Sequence, residues 1–310
     1  MQLTKHILLL CTLLFTITYG YAQEKPVELI ILGTVQDGGS PHIGCKKTCC
    51  SDMFAKPDNT RKVVALGVVN HATNKRYLFE ATPDFPSQMR LLNELSNTTG
   101  VPDGIFLTHA HIGHYTGLMY LGREALGAKE APVYTMPKMK AFLEQNGPWE
   151  QLVTNKNIAL QSLTNETAVA LSPNLNVTPF IVPHRDEYSE TVGYIIAGPN
   201  KRVLFIPDIN KWGKWKQSIV EEIKKVDYAF IDATFFDNAE VNYRDISEIP
   251  HPFIVESMQL FESLSPEEKS KIHFIHFNHT NPALNPESEK YKMIIKKGFK
   301  VARFGATLKL

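Results

Sequence analysis

The sequence has few cysteines, no excess of one charge, and one long apolar run. It contains 4 cysteines among 310 residues, and 33 basic residues nearly balance 32 acidic ones. The balanced charge argues against a polyanionic partner such as nucleic acid. Only the cysteines at positions 45, 49 and 50 lie outside that apolar run, and an odd number argues against a simple framework of disulfides. The sequence also lacks repeats and low-complexity tracts, so we expect a globular domain.

The long apolar run lies at the amino terminus. Lys5 precedes the run ILLLCTLLFTITYGYA, and the small residues Gly20 and Ala22 stand near its end. This pattern is typical of a cleaved signal peptide, so we expect residues 1–22 to be the signal and residues 23–310 to form one domain. A membrane anchor is the alternative, but the run is short for a span. The expected product is periplasmic or secreted, with no stable membrane anchor after cleavage.

Short apolar runs alternate with turn residues along the rest of the chain. Their length and pattern predict strands over 27–33, 63–69, 76–81, 104–109, 176–184, 191–198, 202–208, 227–234 and 271–277. Helical spacing predicts helices over 85–96, 116–126, about 213–225, 252–263 and 284–297. This alternation predicts a layered α/β architecture. The basic and aromatic stretch NKWGKWK (210–216) is consistent with a nucleic-acid patch, but a solvated start of a helix is the commoner meaning.

Polar residues of the kind that bind metals recur where predicted strands end. They are His109, His184, Asp208, Asp232 and His276. Loops at strand ends are where a rigid sheet presents chemical groups. We therefore expect these five side chains to converge on one face of the molecule.

The segment THAHIGH holds the densest cluster of possible ligands. His109 and His111 are two positions apart at the end of a predicted strand, so their side chains point to the same side, and His114 opens the following helix. Imidazole binds first-row divalent metals well. Core or surface histidines without a metal are the alternative, but three histidines in six positions favour a metal site.

THAHIGH resembles the H-x-H-x-D-H motif of the metallo-β-lactamase superfamily. Three later segments resemble the parts of that family that carry further ligands, namely VPH (182–184), LFIPD (204–208) and HFIHFNH (273–279). The resemblance implies an αββα sandwich of four layers, with two sheets inside and helices outside. It also implies a hydrolase that depends on one or two metal ions.

The resemblance implies six metal ligands. The first metal would be held by His109, His111 and His184, the second by His114 and His276, and Asp208 would bridge the two. Gly113 stands where the family has an aspartate, so we expect a second site that is weakened or differently filled. Asp186 or Asp232 could compensate.

The segment LGTVQDGGSPHIGCKKTCC (32–50) resembles a narrower branch of the superfamily. This branch contains pyrroloquinoline-quinone biosynthesis protein B and the cyclic phosphodiesterase of the carbon–phosphorus lyase pathway. The resemblance implies a structural zinc ion held by Cys45, Cys49, Cys50 and His279. The spacing here is C-x3-C-C rather than C-x-C-x2-C, and His42 is a local alternative for the fourth ligand. A disulfide plus a free thiol is the other possibility.

The segment HPFIVESM (251–258) supplies a candidate general acid. In the phosphodiesterase-type relatives a histidine near this place begins a helix, and His251 stands just before Pro252, a favoured first-turn residue. Glu256, on the next turn, could orient it. A helix-capping or surface histidine is the alternative. Asp37, in the turn DGGS, could line the same pocket.

Together these features predict an exported metal-dependent hydrolase that uses a metal-bound hydroxide on a phosphodiester or a small ester or lactam. His251 and Asp208 are the expected catalytic residues. The expected cofactors are one or two catalytic zinc ions and one structural zinc ion, with iron or manganese possible at the catalytic site. The expected partner is a small-molecule substrate. An iron-dependent oxidative enzyme and a non-catalytic metal-binding protein are the alternatives.

Overall fold

The computed structural model describes residues 26–241 and 245–310, and two β-sheets lie at its centre. The strands, in chain order, are β1 (Val27–Gly33), β2 (Ala65–Asn70), β3 (Lys75–Phe79), β4 (Gly104–Phe106), β5 (Ala131–Thr135), β6 (Ile158–Ser162), β7 (Val169–Ser172), β8 (Leu175–Ile181), β9 (Val192–Ala197), β10 (Arg202–Ile206), β11 (Tyr228–Asp232), β12 (Ile272–Ile275), β13 (Lys300–Val301) and β14 (Thr307–Lys309). Each sheet has seven strands among the described residues. Their orders are β14-β1-β2-β3-β4-β5-β6 and β13-β12-β11-β10-β9-β8-β7.

Helices connect many of these strands. The α-helices are α1 (Thr48–Ala55), α2 (Phe85–Ser96), α3 (Ile112–Tyr115), α4 (Pro137–Gln145), α5 (Trp149–Thr154), α6 (Ile219–Lys224), α7 (Ile254–Leu260), α8 (Pro266–Lys271) and α9 (Glu289–Lys296). Short 3₁₀ helices cover Thr116–Leu121, Trp212–Lys214, Asn238–Val241, Ile246–Glu248 and Pro282–Leu284.

The alternation of side chains along the strands creates the layers. In β10, Val203 and Phe205 face the other sheet, where they join a core that also contains Phe79 of β3. Leu204 and Ile206 face the opposite way and pack with residues of α6, α7 and α9. A third core joins the outer face of the first sheet to α2, α4 and α5. Both faces of each sheet are therefore covered, which explains why these strands are almost entirely apolar.

Parallel pairing brings the carboxyl ends of several strands to one edge. Strands β3 and β4 are parallel in the first sheet, and β10, β11 and β12 are parallel in the second. Ligand-type residues stand at or just after these ends: Glu80, His109, Asp208, Asp232 and His276. The sandwich thus places polar groups from both sheets at the same edge.

The predicted four-layer αββα class is confirmed by this architecture, whereas some of the predicted element bounds are wrong. The predicted helix over 85–96 coincides with α2. The predicted helix over 116–126 is instead a 3₁₀ helix, Thr116–Leu121, which ends where Gly122 adopts extended backbone. Gly117 packs so closely on the preceding loop that a Cβ there would lie 2.2 Å from the carbonyl oxygen of Thr82. The backbone at Gly117 is thus in a tertiary contact that the sequence pattern does not report.

The stretch NKWGKWK is not a solvated start of a helix. Trp212 and Trp215 are each 8% exposed and belong to the core between the second sheet and its helices. The Trp212 indole N–H donates to Ser257 Oγ, and that of Trp215 donates to the Ile181 carbonyl. The helix predicted over 213–225 begins later, at Ile219, after Ser218 accepts a capping bond.

The expected signal peptide, residues 1–22, lies outside the described residues. Within the described part of the chain, no helix has both the length and the apolar character that a membrane span requires.

We predict that buried His273 makes the metal-free protein acid-sensitive. Its ring stacks on Phe230 with centroids 4.9 Å apart, and burial lowers its pKa to about 4. In the unfolded chain His273 takes up a proton near pH 6.5, whereas in the folded chain it does so only near pH 4. The free energy of unfolding should therefore be unaffected by His273 above pH 6.5 and should fall by about 3 kcal/mol as the pH drops to 4. Urea unfolding in a chelator at about pH 7 and about pH 4 measures the difference.

The matched variant for this prediction is His273→Gln, which cannot titrate. The difference in free energy of unfolding between the variant and the wild type should shift in favour of the variant by about 3 kcal/mol when the pH is lowered from about 7 to about 4. An equal pH dependence in both proteins would contradict the assignment.

Candidate metal centre

Four histidines and a carboxylate meet at the edge where the strands end. His109 and His111 follow β4, His184 follows β8, Asp208 follows β10, and His276 comes directly after β12. All of them except His111 are buried. The structure thus brings together side chains that are separated by up to 167 positions in the sequence.

The first ligand group is formed by His109, His111, His184 and Asp208. One donor atom from each lies within 4.8 Å of all the others. His109 Nε2 is 2.8 Å from His111 Nδ1, and His184 Nε2 is 3.1 Å from Asp208 Oδ2. A tetrahedral zinc ion with bonds of about 2.0 Å needs donor atoms about 3.3 Å apart, so the spacing suits a metal ion.

The second group is formed by Asp37, His114, Asp208 and His276. His114 Nε2 lies 3.0 Å from Asp37 Oδ1 and 4.0 Å from Asp208 Oδ2. His276 Nε2 lies 3.4 Å from the same oxygen of Asp37. Because Asp208 Oδ2 is close to donor atoms of both groups, this carboxylate has the position of a bridge.

Several buried polar atoms in the first group lack a well-oriented hydrogen bond. Among the described residues these include both ring nitrogens of His184 and Oδ1 of Asp208. Burial, together with the nearby His114, holds the pKa of His109 well below its usual value, so this ring keeps a lone pair at neutral pH. Buried polar atoms without a well-oriented hydrogen bond are costly, and free lone pairs are what a metal requires. The residues therefore fit a metal ion.

A separate group joins the three cysteines to one histidine. Cys45, Cys49, Cys50 and His279 offer ligand atoms within 4.8 Å of one another. Cys49 Sγ is 4.0 Å from each of the other two sulfurs, and all three thiols are free. A disulfide requires about 2.05 Å, whereas a zinc tetrahedron with Zn–S bonds of about 2.3 Å places its sulfurs about 3.8 Å apart. The arrangement fits a zinc site and not a disulfide.

The proposed alternative ligand His42 has another role in this cluster. Its ring stacks on that of His279 with centroids 4.4 Å apart, and its backbone N–H donates to Cys50 Sγ. Burial and the neighbouring Cys50 raise the pKa of the Cys49 thiol to about 12. A bound cation reverses such an effect, because it stabilises the thiolate.

A family model described as a beta-lactamase superfamily domain matches residues 75–274. This match covers more than half of the sequence. The chain belongs to the β-lactamase superfamily. The match includes His109, His111, Asp208 and strand β12 up to Phe274.

Curated and solved relatives of this superfamily protein resemble it over nearly their whole length. Coenzyme PQQ synthesis protein B of Methylorubrum extorquens is 26% identical over 92% of this chain and 100% of its own. The structure of Zn(2+)-bound PqqB from Methylobacterium extorquens has a TM-score of 0.74 at 22% identity, with 91% and 100% of the two chains covered. A diphosphatase from the PhnP family has a TM-score of 0.63 at 21% identity, with 92% and 97% covered. At these identities the structures show a shared fold.

In this β-lactamase superfamily protein, an outer layer of polar groups orients the histidines. Glu80 Oε1 is 3.2 Å from His114 Nδ1, and Thr108 Oγ1 is 2.9 Å from His109 Nδ1. Thr234 Oγ1 is 2.9 Å from His276 Nδ1. Each contact engages Nδ1 and leaves Nε2 directed at the ligand group, as second-layer partners of metal ligands do.

Two residues of this constellation have unusual backbone conformations. Glu80 has φ of 79° and His276 has φ of 65°, and both are fully buried at the ends of strands. A positive φ is costly for such residues, so the surrounding structure must hold them there. In both cases the bend turns the side chain toward the ligand groups instead of continuing the strand.

His251 lies between the two buried carboxylates Asp208 and Asp232. Its Nδ1 is 2.8 Å from Asp232 Oδ2 and 3.1 Å from Asp208 Oδ1. Burial alone would lower the pKa of His251, but the two carboxylates raise it to about 10. In the metal-free protein the two carboxylates thus favour the protonated imidazole.

The sequence-based account of His251 was wrong in two details. Helix α7 begins at Ile254, so Pro252 is not in its first turn. Glu256 pairs with Lys211 Nζ and accepts a bond from the Phe253 N–H, whereas Asp232 contacts His251. The orienting carboxylate comes from a parallel strand, which sequence proximity could not indicate.

Charge pairing dominates the second group. Burial would raise the pKa of Asp37, but His114 and His276 hold it well below its usual value. Burial would lower the pKa of His114, but Glu80 and Asp37 raise it well above its usual value. The pKa of His276 rises to about 9 because Asp232 and Asp37 outweigh burial. Metal binding here must displace protons, so acid should oppose it.

The structure brings every ligand implied by the resemblance into one of these groups, although their binding of metal stays a prediction. Sequence reasoning placed Asp37 only near the pocket and omitted Glu80. Asp186, proposed as a compensating ligand, instead accepts a bond from Thr191 Oγ1. The position of Asp37 in a Gly-rich turn directly after β1 was the available signal.

We predict that Cys49→Ser removes one metal ion per chain. Serine is a poor ligand for zinc, and loss of a structural ion removes folding free energy. Elemental analysis should show about one zinc fewer, and the Tm should fall by roughly 10 °C. The neighbouring exposed Ser51→Ala serves as the control and should change neither value. Unchanged zinc content in Cys49→Ser would refute the site.

Proposed function

We propose that this protein is an exported metal-dependent hydrolase that acts on a phosphodiester or on a small ester or lactam. The supporting observation is the meeting of two histidine–carboxylate groups at Asp208, beside the cationic His251. Export rests on the expected signal peptide, and a small-molecule substrate is part of the proposal.

In the proposed site the chain's own residues hold and orient the metal. His109, His111 and His184 supply imidazole nitrogens, and Asp208 supplies an oxygen. When bound, a divalent metal lowers the pKa of a water molecule and polarises the oxygen of a substrate. Zinc suits these donors best, and iron or manganese are also compatible with them.

His251 is placed to provide the proton that hydrolysis requires. Nδ1 faces the carboxylates of Asp232 and Asp208, so Nε2 is the nitrogen that remains to meet a leaving group. In hydrolysis of a phosphodiester, the water gives up a proton to solvent, its oxygen forms a bond to phosphorus, and the bond to the departing oxygen breaks. His251 would protonate that departing oxygen and regain its own proton from solvent. Asp232 keeps the ring oriented and cationic until the transfer.

We predict that the zinc-loaded protein hydrolyses bis(p-nitrophenyl) phosphate and that His111→Ala reduces kcat/KM by at least about 100-fold. His111 Nδ1 belongs to the first group but its side chain is partly exposed, so its removal should disturb the core little. Release of p-nitrophenol, measured before and after treatment with a chelator, tests the prediction.

The matched control for this assay is His71→Ala. His71 lies beside the turn between β2 and β3, where its Nε2 is 2.9 Å from Glu28 Oε2. Its replacement should leave the rate unchanged. A full rate in His111→Ala, or in the chelated protein, would exclude the proposed chemistry.

We predict that His251→Ala affects poor leaving groups most. A p-nitrophenolate ion leaves without protonation, whereas an alkoxide needs an acid. For methyl p-nitrophenyl phosphate, in which the bond between phosphorus and the p-nitrophenolate oxygen breaks, kcat should fall little. For a dialkyl phosphodiester, kcat should fall by roughly 100-fold or more. Equal losses on both substrates would argue for a merely structural His251.

A second candidate is an iron-dependent oxidative enzyme. One support is the similarity to relatives named coenzyme PQQ synthesis protein B over nearly the whole chain. The other is that imidazoles and carboxylates also bind iron. Iron at the histidine groups after purification without added metal, with no hydrolysis of any diester, would favour this candidate. Metal binding with neither activity would favour a non-catalytic protein.

A further inference from the structure

We propose that Asp37 is a ligand of the second metal and takes the place that a side chain at position 113 would fill. This inference rests on the two-metal site of the proposed function and deepens it. Asp37 Oδ1 lies close to the Nε2 atoms of both second-group imidazoles, at 3.0 Å from that of His114 and 3.4 Å from that of His276. One oxygen that is close to two Nε2 atoms is arranged to share a cation with them.

Gly113 makes room for this carboxylate. A Cβ added at Gly113 would lie 2.6 Å from Asp37 Oδ1 and 2.7 Å from Asp37 Cα. The second contact is with backbone, which a rotamer change cannot relieve. Gly113 is within α3 and is not in the left-handed region, so glycine is needed for space rather than for conformation. A side chain at 113 and the present position of Asp37 therefore exclude each other.

The loop that carries Asp37 is fixed to the strand that carries His276. The Gln36 N–H donates to the Phe277 carbonyl at 2.8 Å, and the Phe277 N–H donates to the Thr34 carbonyl at 2.8 Å. These bonds involve residues just before Asp37 in the chain and the residue directly after His276. The two ligands are thereby held in register with each other, although 239 positions separate them.

The carboxylate also matters for charge. Without Asp37, the second group would consist of two imidazoles and a carboxylate shared with the first group. Two divalent ions close together repel each other, and each added carboxylate offsets that repulsion. Asp37 gives the second ion an anionic ligand of its own.

The test compares five variants: Asp37→Asn, Asp37→Gly, Gly113→Asp, the double variant Asp37→Gly/Gly113→Asp, and the control Asp186→Asn. Zinc is titrated into the metal-free full chain against a chromophoric chelator, and elemental analysis gives the number of ions retained. Circular dichroism and unfolding confirm that each variant folds. Asp37→Asn keeps the shape of the side chain and so remains informative if Asp37→Gly is unstable.

We expect the wild type to hold about three ions per chain, one at the cysteines and two at the histidines. Asp37→Asn and Asp37→Gly should weaken one histidine site by at least about 100-fold and leave the other two sites unchanged. Gly113→Asp alone should also weaken that site, because the two side chains collide. The double variant returns a carboxylate from the other side but keeps the 2.7 Å contact between a Cβ at position 113 and the Cα of residue 37, so its second site should stay weaker than that of the wild type.

A second-site affinity in Asp37→Asn within about threefold of the wild type would overturn the assignment. If the wild type still binds two ions at the histidines in that case, the proposed function stands and only the role of Asp37 is refuted. A wild type that holds no ion at the histidines would overturn the proposed function, and this inference with it. If Asp186→Asn weakened zinc binding at the second site as much as Asp37→Asn, the loss would come from the removal of a nearby negative charge. That result would likewise overturn a ligand role for Asp37.

Discussion

The buried carboxylate of Asp208 is the constraint on which the site depends. It is 3% exposed, and burial would raise its pKa, but His184 and His251 hold that pKa well below its usual value. A buried anion is tolerated only with compensating partners. The histidines around it supply this compensation, and their remaining nitrogens form the two ligand groups. A metal ion in either group would compensate the same charge more strongly.

The sandwich makes this crowding of polar groups possible. Phe79, Phe106 and Phe205 fill the space between the sheets, with Phe79 and Phe106 stacked at 4.9 Å. This rigid apolar interior fixes the two sheets against each other, so the strand ends that emerge from it hold their relative positions. The stability of the core thus determines the precision of the polar edge.

The fold alone does not decide the reaction. The chain shares its fold with a PqqB and with a diphosphatase from the PhnP family, two proteins whose names indicate different functions. Function in such folds depends on the groups at the strand ends and in the loops. Here these groups include a glycine at position 113 and an aspartate at position 37, which are complementary in space.

The sequence alone was enough to predict the layered architecture and most of the residues that meet in the ligand groups. The strand endings His109, Asp208 and His276 were evident because apolar runs of strand length stop at them. Element bounds were less accurate around Gly117, which packs closely against the Thr82 carbonyl. Local pattern cannot report such a contact, because it arises only after distant segments have come together.

The sequence by itself determined which residues can bind metals and which strands carry them, since hydrophobic periodicity and residue chemistry are local properties. The tertiary structure alone decided the pairings: Asp232 with His251, Glu80 with His114, and Asp37 with Gly113. Each pairing joins residues from segments that are distant in the sequence, and the contact of Glu80 with His114 follows from the parallel pairing of β3 and β4. Distances of this kind follow from sheet order and backbone bends, which no spacing in the sequence encodes.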